Sequence, residues 1–203
     1  MMKPFHHLPL LVSVMISICM AIGCKKDDGP KPKNDPGNQP QDSTIFYDAR
    51  DGQTYSAVKI NGVWWMAENL NYKSPGSVCF DFDTSYGPVY GRLYSWQEAK
   101  SAVPEGWRLP VMDDWNGLIN YLGGPGIAGY RLKEDQGVGF NALMSGTKSN
   151  GAFDGLKGWT CFWSADEKSA QEANCLLVNG TCDNVTPTTA SKSNKYAVRL
   201  IRE

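Results

Sequence analysis

Three regimes of hydrophobic patterning divide this chain of 203 residues. Apolar residues dominate from Leu8 to Ile22, Lys25 to Thr44 holds no aliphatic or aromatic residue, and from Ile45 to Ile201 apolar and polar positions interleave. Within the third regime, Thr54–Ile60 alternates and is rich in strand formers, Asn61-Gly62 follows, and Val63-Trp64-Trp65-Met66 resumes the apolar pattern. Asn-Gly between two such runs predicts a tight hairpin, because both turn residues need positive φ. Trp64 and Trp65 must face opposite sides of their strand, so one of them is expected to be partly exposed.

Helical spacing occurs twice. Ser95 and Glu98 have the spacing of a capping box and predict a short helix with Trp96 and Ala99 on one face. Trp115, Leu118, Ile119 and Leu122 fall at i, i+3, i+4 and i+7, which predicts a helix over about Asp113–Leu122 with one buried stripe. Asp113 and Asp114 complement the positive end of its dipole, and Gly123-Gly124-Pro125 stops it. Strands are expected near Thr160–Ser164, Asn174–Val178 and Tyr196–Ile201. The stretches Ser145–Gly158 and Cys182–Lys195 read as long loops. Two short helices beside several short antiparallel strands make an α+β domain of about 160 residues, long enough to bury close to 70% of its unfolded surface.

The N-terminal regime changes the picture of where this domain works. Lys3, the apolar run and the small residues at Ala21-Ile22-Gly23 read as a secretory signal over residues 1–23; the run is short for a bilayer span and contains Pro9. Ala21-Ile22-Gly23-Cys24 resembles the lipobox of bacterial lipoproteins, in which the cysteine is lipidated and becomes the new N-terminus. Ordinary cleavage with a free Cys24 is the alternative. Residues 24–44, with Pro30, Pro32, Pro36 and Pro40, form a tether that cannot bury enough surface to order itself and reaches at most roughly 60 Å. Lys25-Lys26-Asp27-Asp28 resembles the charged export signal of surface lipoproteins in the Bacteroidetes. The expected place is therefore the outer membrane, held by lipid and facing outward, with the periplasmic face as the alternative. Two or more acyl chains, as lipoproteins carry, give stable anchoring.

Processing also removes chemistry. Both histidines, His6 and His7, lie in the signal, so the mature chain holds no Ser-His or Cys-His pair and no His-ligated metal. The formal charge moves from −1 to −2 with the loss of Lys3, which gives no electrostatic footprint for nucleic acid. Cys79, Cys161, Cys175 and Cys182 remain beyond Cys24. In an exported chain they read as two disulfides of three possible connectivities; a four-cysteine zinc site is the weaker alternative, with no Cys-x-x-Cys pair to support it.

The ordered stretches Asp48–Tyr55, Trp65–Tyr72, Tyr90–Trp96, Pro104–Pro110, Gly139–Leu143, Phe162–Ser164 and Tyr196–Arg199 together resemble the Fibrobacter succinogenes major paralogous domain over Ile45–Glu203. The resemblance implies a fold similar to C-type lectins and formylglycine-generating enzymes, in proteins that are often exported lipoproteins; the domain has no established biochemical activity. Two family cysteines are replaced here by Val103 and Leu200, so the pair is expected to be close in space, with the last strand beside the loop before Trp107. Val111 stands where the family favours Ser or Thr as an N-cap, a loss of roughly 1 kcal/mol partly offset by Asp113 and Asp114. Of the connectivities, Cys175–Cys182 and Cys79–Cys161 are favoured; free buried thiols are the alternative.

Trp65, Trp96, Trp107, Trp115 and Trp163 sit among apolar neighbours and read as core. Glu68 and Asn69 read as turn residues that bond backbone groups. Trp159 is the best candidate for a surface aromatic, and Asp154, Asp166 and Glu167 are further candidate ligand-binding residues. Loop carboxylates, including Asp81 and Asp83, suit calcium if any metal is held, although no established calcium motif is present. The expected function is a non-catalytic envelope binding module for a glycan or a surface protein, working through 151–159 and 165–174. The alternatives are a structural subunit of a surface complex, or an oxidase related to formylglycine-generating enzymes, with Cys161, Cys175 and Cys182 holding copper. Fold kinship alone does not carry that activity across.

Overall fold

The computed structural model describes residues 42–133 and 138–203. Among the described residues nine strands form two sheets. The first sheet, in the order β1-β2-β3-β9, is antiparallel and contains β1 (Ser43–Asp48), β2 (Gln53–Ile60), β3 (Val63–Met66) and β9 (Ile201–Arg202). The second, in the order β5-β4-β6-β7-β8, contains β4 (Ser145–Ser149), β5 (Ala152–Leu156), β6 (Trp159–Glu167), β7 (Glu172–Asn179) and β8 (Val185–Ser191). All its pairings are antiparallel except a single parallel contact of β4 with β6. Four short helices, α1 (Gly87–Tyr90), α2 (Trp96–Ser101), α3 (Met112–Tyr121) and α4 (Ala128–Leu132), lie between the sheets in the chain. The architecture is α+β, with two more helices than the periodicity predicts; α1 and α4 are too short to show a repeat. None of these helices is long and apolar enough to cross a membrane.

The expected hairpin is β2–β3. Ile60 pairs with Val63, and Asn61 and Gly62 take φ of 49° and 83°. Trp65 is buried, whereas Trp64 is half-buried with Lys59 and Arg202 lying over its ring. α2 closes the expected capping box, with the Ser95 hydroxyl accepting from the Glu98 N–H and Glu98 Oε2 accepting from the Ser95 N–H. α3 buries its whole predicted stripe: Trp115, Leu118, Ile119 and, just past its end, Leu122.

Two expected loops are strands. Ser145–Gly158 folds as the β4–β5 hairpin around Asn150 and Gly151, both at positive φ, and the middle half of Cys182–Lys195 is β8. β8 is an edge strand and carries Pro187, which a central strand would not accept. The expected last strand is only partly regular. Ala197 exchanges backbone bonds with β6, the Val198 and Leu200 carbonyls accept from Leu70 and Met66, and Ile201 exchanges with Arg108. Residues 196–202 thus join the two sheets. Leu200 is fully buried, and Val103 packs against the same hydrophobic cluster.

One charged group lies at the centre of this junction. Arg199 has no solvent exposure. Its Nε donates to Asn69 Oδ1 at 2.7 Å, its Nη1 to the carbonyls of Met66 (2.9 Å) and Phe140, and its Nη2 to the carbonyl of Asn141 at 2.6 Å. The guanidinium faces the rings of Phe140 and Phe162. Burial pulls its pKa down to about 9, so it stays charged at neutral pH. Asn69 also donates to the Tyr90 carbonyl, and Glu68 accepts from the Ser56 N–H, so both bond backbone as expected.

Candidate functional site

Phe82 is a large apolar side chain that the fold leaves 64% exposed. The segment that presents it is pinned at its base by Arg92, which donates to the Ser77 carbonyl (2.7 Å), the Ser77 hydroxyl (2.9 Å) and Cys79 Sγ (3.3 Å). Phe80–Phe82 then forms a 3-10 turn in which Asp81 and Phe82 take φ of 51° and 58°. Two consecutive non-glycine residues in the left-handed region cost roughly 1–2 kcal/mol each. Such strain persists only where the surroundings over-determine it. Asp83 ends the turn by accepting from the Ser85 N–H at 2.9 Å, a bond that lowers its pKa and caps the next turn, Thr84–Tyr86.

Phe82 starts a ladder of rings. It meets Phe153 of β5 edge-on at 5.0 Å; Phe153 meets Phe80 at 5.2 Å, Phe80 meets Tyr86 edge-on at 6.1 Å, and Tyr86 meets Tyr90 at 6.0 Å. Phe80, Phe153, Tyr86 and Tyr90 are all half-buried, so the ladder has a packed side and a wet side. Gly146 of β4 makes room for it: at φ of 66°, a Cβ there would stand 2.6 Å from Phe80 Cε2. Lys148 is paired directly with Phe153 across β4–β5, which places the two side chains on one face. Its Nζ lies 4.5 Å from the Phe82 ring centre and 5.2 Å from that of Phe153. The site is therefore a hydrophobic strip with one ammonium held over it, on the hairpin that the sequence reads as a loop.

The four ligand residues expected from the sequence do not converge. Asp154 is exposed on β5, but on the opposite face from Phe153. Trp159 is half-buried, its indole packed over Gly155, where any Cβ would collide with the ring. Asp166 accepts from the Met112 N–H and from the Ser164 hydroxyl. It is the cap that Val111 cannot supply to α3, delivered from β6, while Asp114 accepts from the Val111 N–H at 2.8 Å. Glu167 is exposed and paired with Lys192 at 2.9 Å, which lowers its pKa. Trp159 and Glu167 stand at opposite ends of β6, roughly 25 Å apart for an extended strand. Periodicity gives no sign of the ring ladder; the only local signal is Phe82 between Asp81 and Asp83, an apolar side chain in a polar turn.

The favoured disulfides are not formed. Cys79 and Cys175 are buried free thiols, and Cys161 is buried without a disulfide to either of them. Cys79 lies under the 3-10 turn against Arg92, whereas Cys161 and Cys175 belong to the cluster around Trp163 and Tyr196, so Cys79 and Cys161 have separate surroundings. In the β7–β8 pairing Val178 meets Val185 and Cys175 meets Thr188. Cys182 sits in the turn beyond, three residues of strand away from Cys175, or about 10 Å. Cys161 and Cys175 are diagonal neighbours on β6 and β7, beside Tyr196. Among the described residues no group of three or more His, Cys, Asp or Glu could hold a metal ion. Cys24, the signal and most of the tether lie outside the described residues.

The family model described as the Fibrobacter succinogenes major domain matches residues 58–202. No curated protein matches the chain.

Proposed function

The chain belongs to the Fibrobacter succinogenes major domain family, and we propose that it is a lipid-anchored, non-catalytic module of the cell envelope that binds a glycan on the Phe82–Phe153–Phe80 strip. One observation carries this reading: a ring 64% exposed, presented on two left-handed residues and braced edge-on by a second ring. A domain that needed only stability would bury Phe82 or replace it. Rigid aromatic strips with polar neighbours are what ligand sites on loops and hairpins offer. The lectin-like character of the scaffold is part of the same proposal. Anchoring is supported by Ala21-Ile22-Gly23-Cys24 and by the proline-rich stretch that follows.

The test uses the full-length protein extracted from membranes in mild detergent. A glycan array and electrophoresis through polysaccharide-containing gels should show retention that Phe82→Ala abolishes while the melting temperature holds. Wild-type protein retained by no glycan refutes the binding half. For the anchor, mass spectrometry of the N-terminal peptide should find Cys24 carrying diacylglycerol, and an unmodified start refutes that half.

A further inference from the structure

We infer that the aromatic strip is specific for acidic polysaccharides, with Lys148 pairing with a uronic-acid carboxylate while the sugar ring lies on Phe82 and Phe153. The inference rests on the glycan reading above and adds the chemical class of the ligand.

The charge pattern around Lys148 carries it. Lys148 exchanges backbone hydrogen bonds with Lys195, so the two residues are neighbours. Lys195 is paired with Glu98 at 2.6 Å, Lys192 with Glu167 at 2.9 Å and Lys133 with Asp183 at 3.8 Å. Lys148 alone of these four has no carboxylate within ion-pair distance among the described residues; two aromatic faces hold it instead. Aromatic contacts fix the ammonium without using up its three donors, which remain directed at whatever lies on the strip. The nearby acids do not answer it. Asp83 is engaged with the Ser85 N–H, and Asp154 projects from the far face of β5. Asp81 is exposed on the turn, in a position that water and salt screen. An unpaired cation over apolar rings matches the two faces of a uronic acid, a C–H surface for the rings and a carboxylate for the ammonium. The chain's net charge of −1 cannot draw acidic polymers by bulk attraction, so any preference for them must be local.

The experiment compares retention of the detergent-solubilised full-length protein in gels containing polygalacturonate, alginate, highly methyl-esterified pectin or mannan. Retention by polygalacturonate or alginate should exceed that by esterified pectin and mannan at least tenfold. Lys148→Gln should erase this difference, and Lys168→Gln, which removes an exposed lysine elsewhere, should leave it intact. Near-ultraviolet circular dichroism confirms that each variant is folded. Equal retention by acidic and neutral polymers, or a Lys148→Gln protein that keeps the acidic preference, overturns the inference and leaves the glycan reading standing. Retention by none of the four, together with a blank array, overturns the glycan reading itself.

Discussion

Replacing Arg199 by Met is the most informative test of what holds the two sheets together. The substitution preserves much of the stem and leaves four acceptors unsatisfied: Asn69 Oδ1 and the carbonyls of Met66, Phe140 and Asn141. Hydrogen bonds from a charged donor are worth roughly 1.5–3 kcal/mol each, so losing four puts the upper bound at about 12 kcal/mol. Against this stands the relief of no longer burying a guanidinium, several kcal/mol even after relaxation. The net expectation, the difference of these two terms, is a loss of about 3–5 kcal/mol. Typical domain stabilities of 5–15 kcal/mol make that a large fraction of the whole.

Urea titration followed by tryptophan fluorescence suits the measurement, because Trp65, Trp115 and Trp163 are fully buried. With a slope of about 2 kcal/mol per molar urea, the midpoint should fall by roughly 2 M. Arg199→Lys keeps the charge but not the planar fork, and should fall in between. A midpoint shift below about 0.5 M for Arg199→Met at unchanged slope would refute the reasoning, since four buried acceptors would then cost nothing.

Three further outcomes are expected. Asp166→Ala should cost about 1 kcal/mol by uncapping α3, read as a lower urea midpoint, with the Val111–Asp114 bond preserving the helix itself. Asp48 and Asp114 have pKa values lowered in the folded state, Asp48 by its bonds to Arg50 and Asp114 by Arg108 acting against burial. Their stabilisation is therefore complete above the unfolded carboxylate value of about 3.9 and is lost as pH falls through the lower folded values. Melting temperature should drop steeply below about pH 4, and Asp48→Asn should flatten that fall. Cys79 and Cys175 should resist iodoacetamide in the native protein and react once guanidinium unfolds it without reductant; a Cys79–Cys161 or Cys175–Cys182 crosslinked peptide would contradict this.

Legibility in the sequence followed the strength of the local hydrophobic contrast. Asn61-Gly62 is readable as a turn because Ile60 and Val63 flank it, and both are half-buried or buried. Asn150-Gly151 makes the same kind of turn with the same sign of φ, yet its strands read Ser-Gly-Thr-Lys-Ser and Ala-Phe-Asp-Gly-Leu, which carry no alternating apolar signal. Their pairing is fixed by the neighbours in space: Phe80 over Gly146, and Phe153 between Phe80 and Phe82. β8 is hidden in the sequence for a related reason, since Pro187, Thr188 and Thr189 are exposed and Pro187 sits in mid-strand, a composition that only an edge position permits. The capping of α3 was legible as a gap at Val111 but not as a supply from Asp166, because the donor and acceptor are 54 residues apart.

The same reasoning explains why two carboxylates are more prominent in the sequence than the ring strip. Asp166 and Glu167 follow a strongly apolar strand and so stand out in sequence, but they stand out because β6 ends there and its polar end secures α3 and Lys192. Phe82 is inconspicuous in sequence and conspicuous in space. Its exposure has meaning only once Phe153, 71 positions later, is seen to brace it and Lys148 to lie across both rings. Such a site is assembled by sheet register: a one-residue slip between β4 and β5 would turn Phe153 and Lys148 to opposite faces and dissolve it. The register is held by Asn150 and Gly151 at one end and by Gly146 and its close approach to Phe80 near the other. Gly146 therefore matters to binding as much as to stability. A side chain there would displace Phe80 first, and through Phe80 the ring that supports Phe82.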